Sequence, residues 1–129
     1  MENSMYELTE REYEATLKLN AEYRQSLFIN KTLENKVLFI VVQEEGPFLL
    51  EDNGQEGEEQ ATILPVWCHE KFAKAYIDMV NLPAAKVQQI TLDIFRSKWI
   101  PMLNENKILL GFMPVEGLDF SVDEPKCLE

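Results

Sequence analysis

The stretch Leu64-Pro-Val-Trp-Cys-His-Glu-Lys-Phe-Ala-Lys-Ala-Tyr76 places the only histidine of the chain between a cysteine and a glutamate, two residues after a tryptophan. It also holds the switch between two hydrophobic periods. Upstream, Ala61-Thr-Ile-Leu-Pro-Val-Trp67 is short, apolar and β-branched, which reads as a strand, with Pro65 indicating a sheet edge or the strand's end. Downstream, Phe72, Tyr76 and Val80 recur at i, i+4 and i+8 with Ala73 beside them, so a helix starts near His69 and stops before Pro83.

Working outward toward the N-terminus, Val37–Val42 is apolar without alternation, the pattern of a strand covered on both faces. A turn over Glu44–Pro47 and a short strand over Phe48–Leu50 make a hairpin. Residues 51–60, EDNGQEGEEQ, carry five carboxylates, two glycines and no apolar side chain, and are expected to form a mobile acidic loop. Their oxygen ligands do not fall at the alternate positions of a calcium-binding loop. Further upstream, Thr9 with Glu12 forms a capping box. The fourfold spacing of Tyr13, Leu17 and Ala21, continued by Tyr23, Leu27 and Phe28, predicts one bent helix or two short ones broken at Asn20, after a flexible tail over residues 1–8.

Toward the C-terminus, Lys86–Leu92 is a strand, and Thr91 caps a helix whose inward face is Leu92, Phe95, Trp99 and Leu103. Pro101 removes a backbone donor and is expected to bend or tighten the last turn. Ile108–Met113 is a further strand, and an edge strand follows around Leu118–Val122. Leu128 and Glu129 are set aside as a possible cloning scar, which leaves residues 9–127 as a single domain. The order of elements indicates an α+β fold, with three to four helices packed on a mixed or antiparallel sheet of about four to six strands.

The 129 residues include 23 Asp plus Glu against 12 Lys plus Arg, a formal net charge of -11. That charge repels phosphate backbones and anionic lipid headgroups, so neither nucleic acid nor a membrane is an expected partner. It steers toward a basic protein or peptide. The apolar runs are too short to span a bilayer and the acidic start is unlike a signal peptide, which predicts a cytoplasmic protein. Two cysteines, Cys68 and Cys127, make neither a disulfide framework nor a CxxC pair.

Catalytic readings find little purchase. One histidine leaves no pair for zinc, and no G-x-S-x-G, G-x-G-x-x-G or P-loop occurs. No catalytic residue, metal ligand or cofactor is assigned. A Cys68–His69 nucleophile pair competes with a simpler role: Cys68 or His69 caps the helix and Glu70 complements its dipole. Trp67 and Trp99 belong to the core or form the aromatic rim of a site that includes His69. The candidate binding surface is therefore Trp67, His69, Glu70 and Trp99. Two functions follow. One is a non-catalytic protein-interaction module; the other is a small ligand-binding protein or enzyme with a pocket at the helix N-terminus around Trp67, His69 and Glu70.

Three segments carry a resemblance. Leu64, Pro65, Val66, Trp67 and His69 form an L-P-V-W-x-H junction; Trp99, Pro101 and Leu103 form W-x-P-x-L; Gly111 and Pro114 form G-x-x-P. Together they resemble the small bacterial family known as domain of unknown function 2750, over about residues 22–122. Cys68 stands where many relatives have proline, and the helix up to Asn20 looks like an extension. The resemblance implies the α+β fold and a bacterial cytosolic setting, and no reaction.

Overall fold

The computed structural model describes residues 9–52, 61–114 and 120–128. Two helices come first, α1 (Glu10–Leu17) and α2 (Ala21–Asn35). Glu12 N–H donates to Thr9 Oγ1 at 3.1 Å and Thr9 Oγ1 donates to the Glu12 carboxylate at 3.0 Å, so each residue of the expected box satisfies the other. Asn20 ends the first helix by capping the second: its Oδ1 accepts from Tyr23 N–H at 3.0 Å. Lys36 then takes the left-handed conformation at φ 63° and turns the chain into the sheet.

Strand β1 (Val37–Gln43) has β2 (Gly46–Pro47) on one side and β5 (Lys86–Thr91) on the other, both antiparallel. Leu38, Phe39, Ile40 and Val41 are all buried, as expected of an apolar run without alternation. A second sheet has the order β3 (Leu50–Asp52), β4 (Ala61–Val66), β6 (Ile108–Phe112) and β7 (Ser121–Asp123), with only β4 and β6 parallel. The strands are thus mixed and divided into two sheets. Among the described residues one bridge joins the sheets, in which Phe39 and Trp67 exchange backbone bonds of 2.8 and 2.9 Å.

That division explains where the expected boundaries move. Phe48 N–H still donates to Val41 O at 2.8 Å, but the chain then leaves the first sheet and enters the second at Leu50. Of the strand expected over Phe48–Leu50 only Leu50 is in a strand, β3, while Gly46 and Pro47 of the expected turn form β2. Glu51 and Asp52, assigned to the acidic loop, belong to β3. The rest of that loop, and the tail over residues 1–8, lie outside the described residues.

Pro65 lies one residue from the end of an inner strand, so the expected placement at the strand's end holds and the alternative placement at a sheet edge is corrected. Its neighbours in β4 show how this is tolerated. β3 pairs with β4 only as far as Ile63, and β1 approaches from the same side only at Trp67. Ile63, Pro65 and Trp67 present their amide positions to that side, so the missing N–H falls in the gap where β4 changes neighbours.

Helix α3 (Glu70–Val80) packs Phe72, Ala73 and Tyr76 into the core, while Val80 at its last turn is exposed. After β5 the chain enters α4 (Leu92–Ile94), a π-helical segment Phe95–Trp99, and α5 (Ile100–Glu105). Of the two effects expected at Pro101, a bend or a tightened turn, the tightening is not what is found. The turn before it widens, and Ile100 N–H reaches back five residues to Phe95 O. The core joins α2, α3, both sheets and the α4–α5 stretch, and includes Leu128, whose side chain is buried and whose carbonyl accepts from Arg96 Nε at 2.7 Å. No helix among the described residues is long and apolar enough to cross a membrane.

Candidate functional site

The first candidate, Trp67, follows directly on β4. Val66 O accepts from Met113 N–H at 2.9 Å, which carries the parallel β4–β6 pairing one residue past β6. The indole is fully buried, donates from Nε1 to Pro114 O at 3.0 Å, and packs on Tyr76 with ring centroids 5.3 Å apart. Trp67 therefore leaves the candidate surface: it fills the core where the two sheets meet, because an inner strand ends there with its donor needing a buried acceptor.

Cys68 is buried as well, and its backbone N–H points at Met113 Sδ at 3.3 Å. Burial pushes its thiol from 9.0 up to about 12. At neutral pH it stays a thiol, so the nucleophile reading of Cys68–His69 fails on the state of the sulfur. The competing role is the one observed. His69 sits at the N-cap of α3 in an extended conformation, φ -150° and ψ 144°, with Nδ1 accepting from Lys71 N–H at 3.1 Å. That acceptance uses the lone pair of Nδ1. The ring also lies near Phe39, at 6.3 Å between centroids. Glu70 opens the first turn, where it complements the helix dipole and meets Lys74 Nζ at 3.6 Å. His69 and Glu70 are both half-buried.

Helix α1 flanks this first turn, a neighbour that no sequence signal indicated. Glu10 pairs with Lys71 at 2.8 Å, Lys71 Nζ lies 4.6 Å from the centre of the Tyr13 ring, and Tyr13 stacks on Phe72 at 5.3 Å. Fourfold spacing revealed that Tyr13 lay on an apolar face but not what that face would cover. Trp99 takes a different setting, half-buried at the end of the π-helical segment and stacked on Phe95 at 6.2 Å and 13°. The fold thus brings Trp67, His69 and Glu70 to one strand-to-helix junction, with Trp67 turned inward, and places Trp99 in the helical stretch after β5. Among the described residues no three His, Cys, Asp or Glu side chains group as metal ligands.

The profile of the family described as "Protein of unknown function (DUF2750)" matches residues 25–129. The chain belongs to the DUF2750 family. No curated protein and no solved structure matches it. The DUF2750 match begins within α2 and leaves α1 outside, and at the other end it runs past Leu128.

In this DUF2750 chain two of the motifs meet. Pro65 pairs with Gly111 across the parallel ladder, and Trp67 donates to Pro114. Gly111 is needed for closeness: a Cβ there would lie 2.7 Å from Phe120 Cε2 and 2.8 Å from Ile63 Cγ2. In the third motif Trp99 ends the widened turn, Pro101 follows it, and Leu103 is buried. These residues are accounted for by packing and hydrogen bonding alone.

Proposed function

We propose that this protein is a non-catalytic interaction module whose partner is a basic protein or peptide. One observation carries the reading. Cys68 and His69, adjacent in the chain and the pair from which nucleophile and base chemistry would be built, are both held in structural roles, one as a buried thiol and the other as a helix cap. What α3 presents beside them is charge and shape: His69 and Glu70, half-buried, with Glu10 of α1 close by on Lys71. Added to a net charge of -11, this favours a cationic surface as the complement. A bacterial cytoplasmic setting belongs to the same proposal.

The test uses the intact chain and a variant with Glu10→Gln and Glu70→Gln, each confirmed as folded, immobilised and presented with a bacterial cytosolic extract. The expected result is a stoichiometric basic partner whose binding weakens as salt rises and weakens again in the variant. A partner held equally at low and high salt and by both chains would refute the charge-based reading. The alternative, a small-ligand pocket, retains only His69 and Glu70, since Trp67 is turned into the core.

A further inference from the structure

The three-stranded sheet ends in β5. β1 pairs with it from Val37↔Thr91 to Val42↔Lys86, and no strand among the described residues occupies its other side. The direction of each amide follows from four hydrogen bonds. Leu92 N–H donates to Lys36 O at 2.8 Å, while Phe39 exchanges its bonds with Trp67 and Val41 O accepts from Phe48 N–H, both away from β5. Hydrogen-bonded and non-hydrogen-bonded pairs alternate along an antiparallel ladder. Lys86, Gln88 and Ile90 therefore face β1, and Val87, Gln89 and Thr91 turn their N–H and C=O groups outward.

This edge lacks the usual protection. Natural sheets blunt a free strand with proline, a bulge or several charges. The sequence Lys86-Val-Gln-Gln-Ile-Thr91 has no proline and one charge, and it pairs with β1 in unbroken register over all six positions. Helix α3 lies beside the edge without closing it. The space between them is an open groove of about 410 Å³ lined by Lys74, Ile77, Asp78, Ala85, Lys86 and Val87.

We propose that β5 pairs with β5 of a second copy of this chain, antiparallel about a twofold axis at Gln89, joining two three-stranded sheets into one of six strands. A twofold axis normal to the sheet keeps every side chain on its own face, so it pairs only residues of the same parity, and the outward amides are centred on Gln89. The register is then Gln89 with Gln89, Val87 with Thr91 and Gln88 with Ile90. No like charges are opposed. Lys86 falls opposite Leu92 of the second copy, one residue along the chain from its Asp93, so the one cation of the strand faces no cation and lies at the end of the partner strand that carries a carboxylate. This self-complementarity favours a second copy over an unrelated peptide.

The test is the molar mass of the full chain in solution, by light scattering or sedimentation equilibrium, against concentration and salt. The expected mass is twice that of the chain. Each copy carries -11, so association should strengthen with salt, the reverse of the salt dependence expected for a basic partner. Gln89→Pro removes an outward N–H that the β1 ladder does not use, and should halve the mass with the circular dichroism unchanged. A chain monomeric at all salts, or a folded Gln89→Pro variant that keeps the doubled mass, overturns the proposal. Gln89→Lys and Gln89→Glu supply a second arm: each alone should be monomeric, and their mixture should associate. Equal association of all three overturns it too. So does a monomer whose β5 amides gain exchange protection only when a basic peptide is added, an outcome that assigns the edge to that peptide.

Discussion

The indole Nε1 of Trp67 donates to the carbonyl oxygen of Pro114 at 3.0 Å across 47 residues of sequence. Both partners are buried, so the bond closes a polar pair that water cannot reach. Trp67→Phe keeps most of the ring volume but leaves the Pro114 carbonyl without its donor. The expected loss is about 1–3 kcal/mol of unfolding free energy, read by urea denaturation. Trp67→Ala should lose about 3–5 kcal/mol, because a cavity is added. A Trp67→Ala variant as stable as the parent would show that the side chain is not in the core.

Gly111 makes the complementary prediction at the same junction. It pairs with Pro65 on one side and Val122 on the other, and Phe120 and Ile63 close over the place of its missing Cβ. Gly111→Ala therefore forces two side chains to shift, at about 1–3 kcal/mol. Truncating the obstruction in a Gly111→Ala, Phe120→Leu double variant should recover part of that loss. Additive losses in the double-mutant cycle would mean that the two positions do not touch.

Cys68 should be inert in the native protein. With its thiol pushed up to about 12, thiolate is scarce at pH 8 and the sulfur is buried. In a Cys127→Ser background, a thiol reagent should modify Cys68 only as fast as the chain opens, and denaturant should accelerate the reaction sharply. The linkage sign follows from the raised value. The unfolded thiol ionises near 9.0 and the folded one near 12, so the unfolded state sheds the proton first. This contribution to stability is complete below pH 9 and is lost as pH rises from 9 toward 12. Cys68→Ala should flatten that part of the alkaline stability curve.

His69 is predicted to matter as a cap. His69→Ala should cost about 1 kcal/mol, and His69→Asn or His69→Asp should restore most of it, because each again offers an acceptor to the first turn of α3. A catalytic histidine would follow a different pattern, with Asn no better than Ala in any activity assay.

Local chemistry was legible from the residues themselves. Thr9, Asn20, His69 and Thr91 all accept hydrogen bonds from the first turns of their helices. Capping depends on one side chain and an amide two or three residues away, so the sequence contains both partners. The α+β class and the buried strand Val37–Val42 were readable for the same reason: period and composition act over a few neighbouring residues. Family membership, too, lay in three short motifs.

What the residues could not reveal was which distant segment each would meet. Pro65 sits in an inner strand only because β3 stops at Ile63 and β1 arrives at Trp67. Trp67, pointing inward, has a buried acceptor only because Pro114, two residues past the end of the parallel neighbour β6, offers a carbonyl. Tyr13 covers Phe72, and Leu128 fills the core, through contacts between elements far apart in sequence. The α+β class, most of the elements, the caps at Thr9, His69 and Thr91 and the net charge are set by residues close together in the sequence. Tertiary structure decided which side chains the core consumed, and so which of Trp67, His69, Glu70 and Trp99 still faces solvent, since burial depends on long-range pairing that local preferences do not encode.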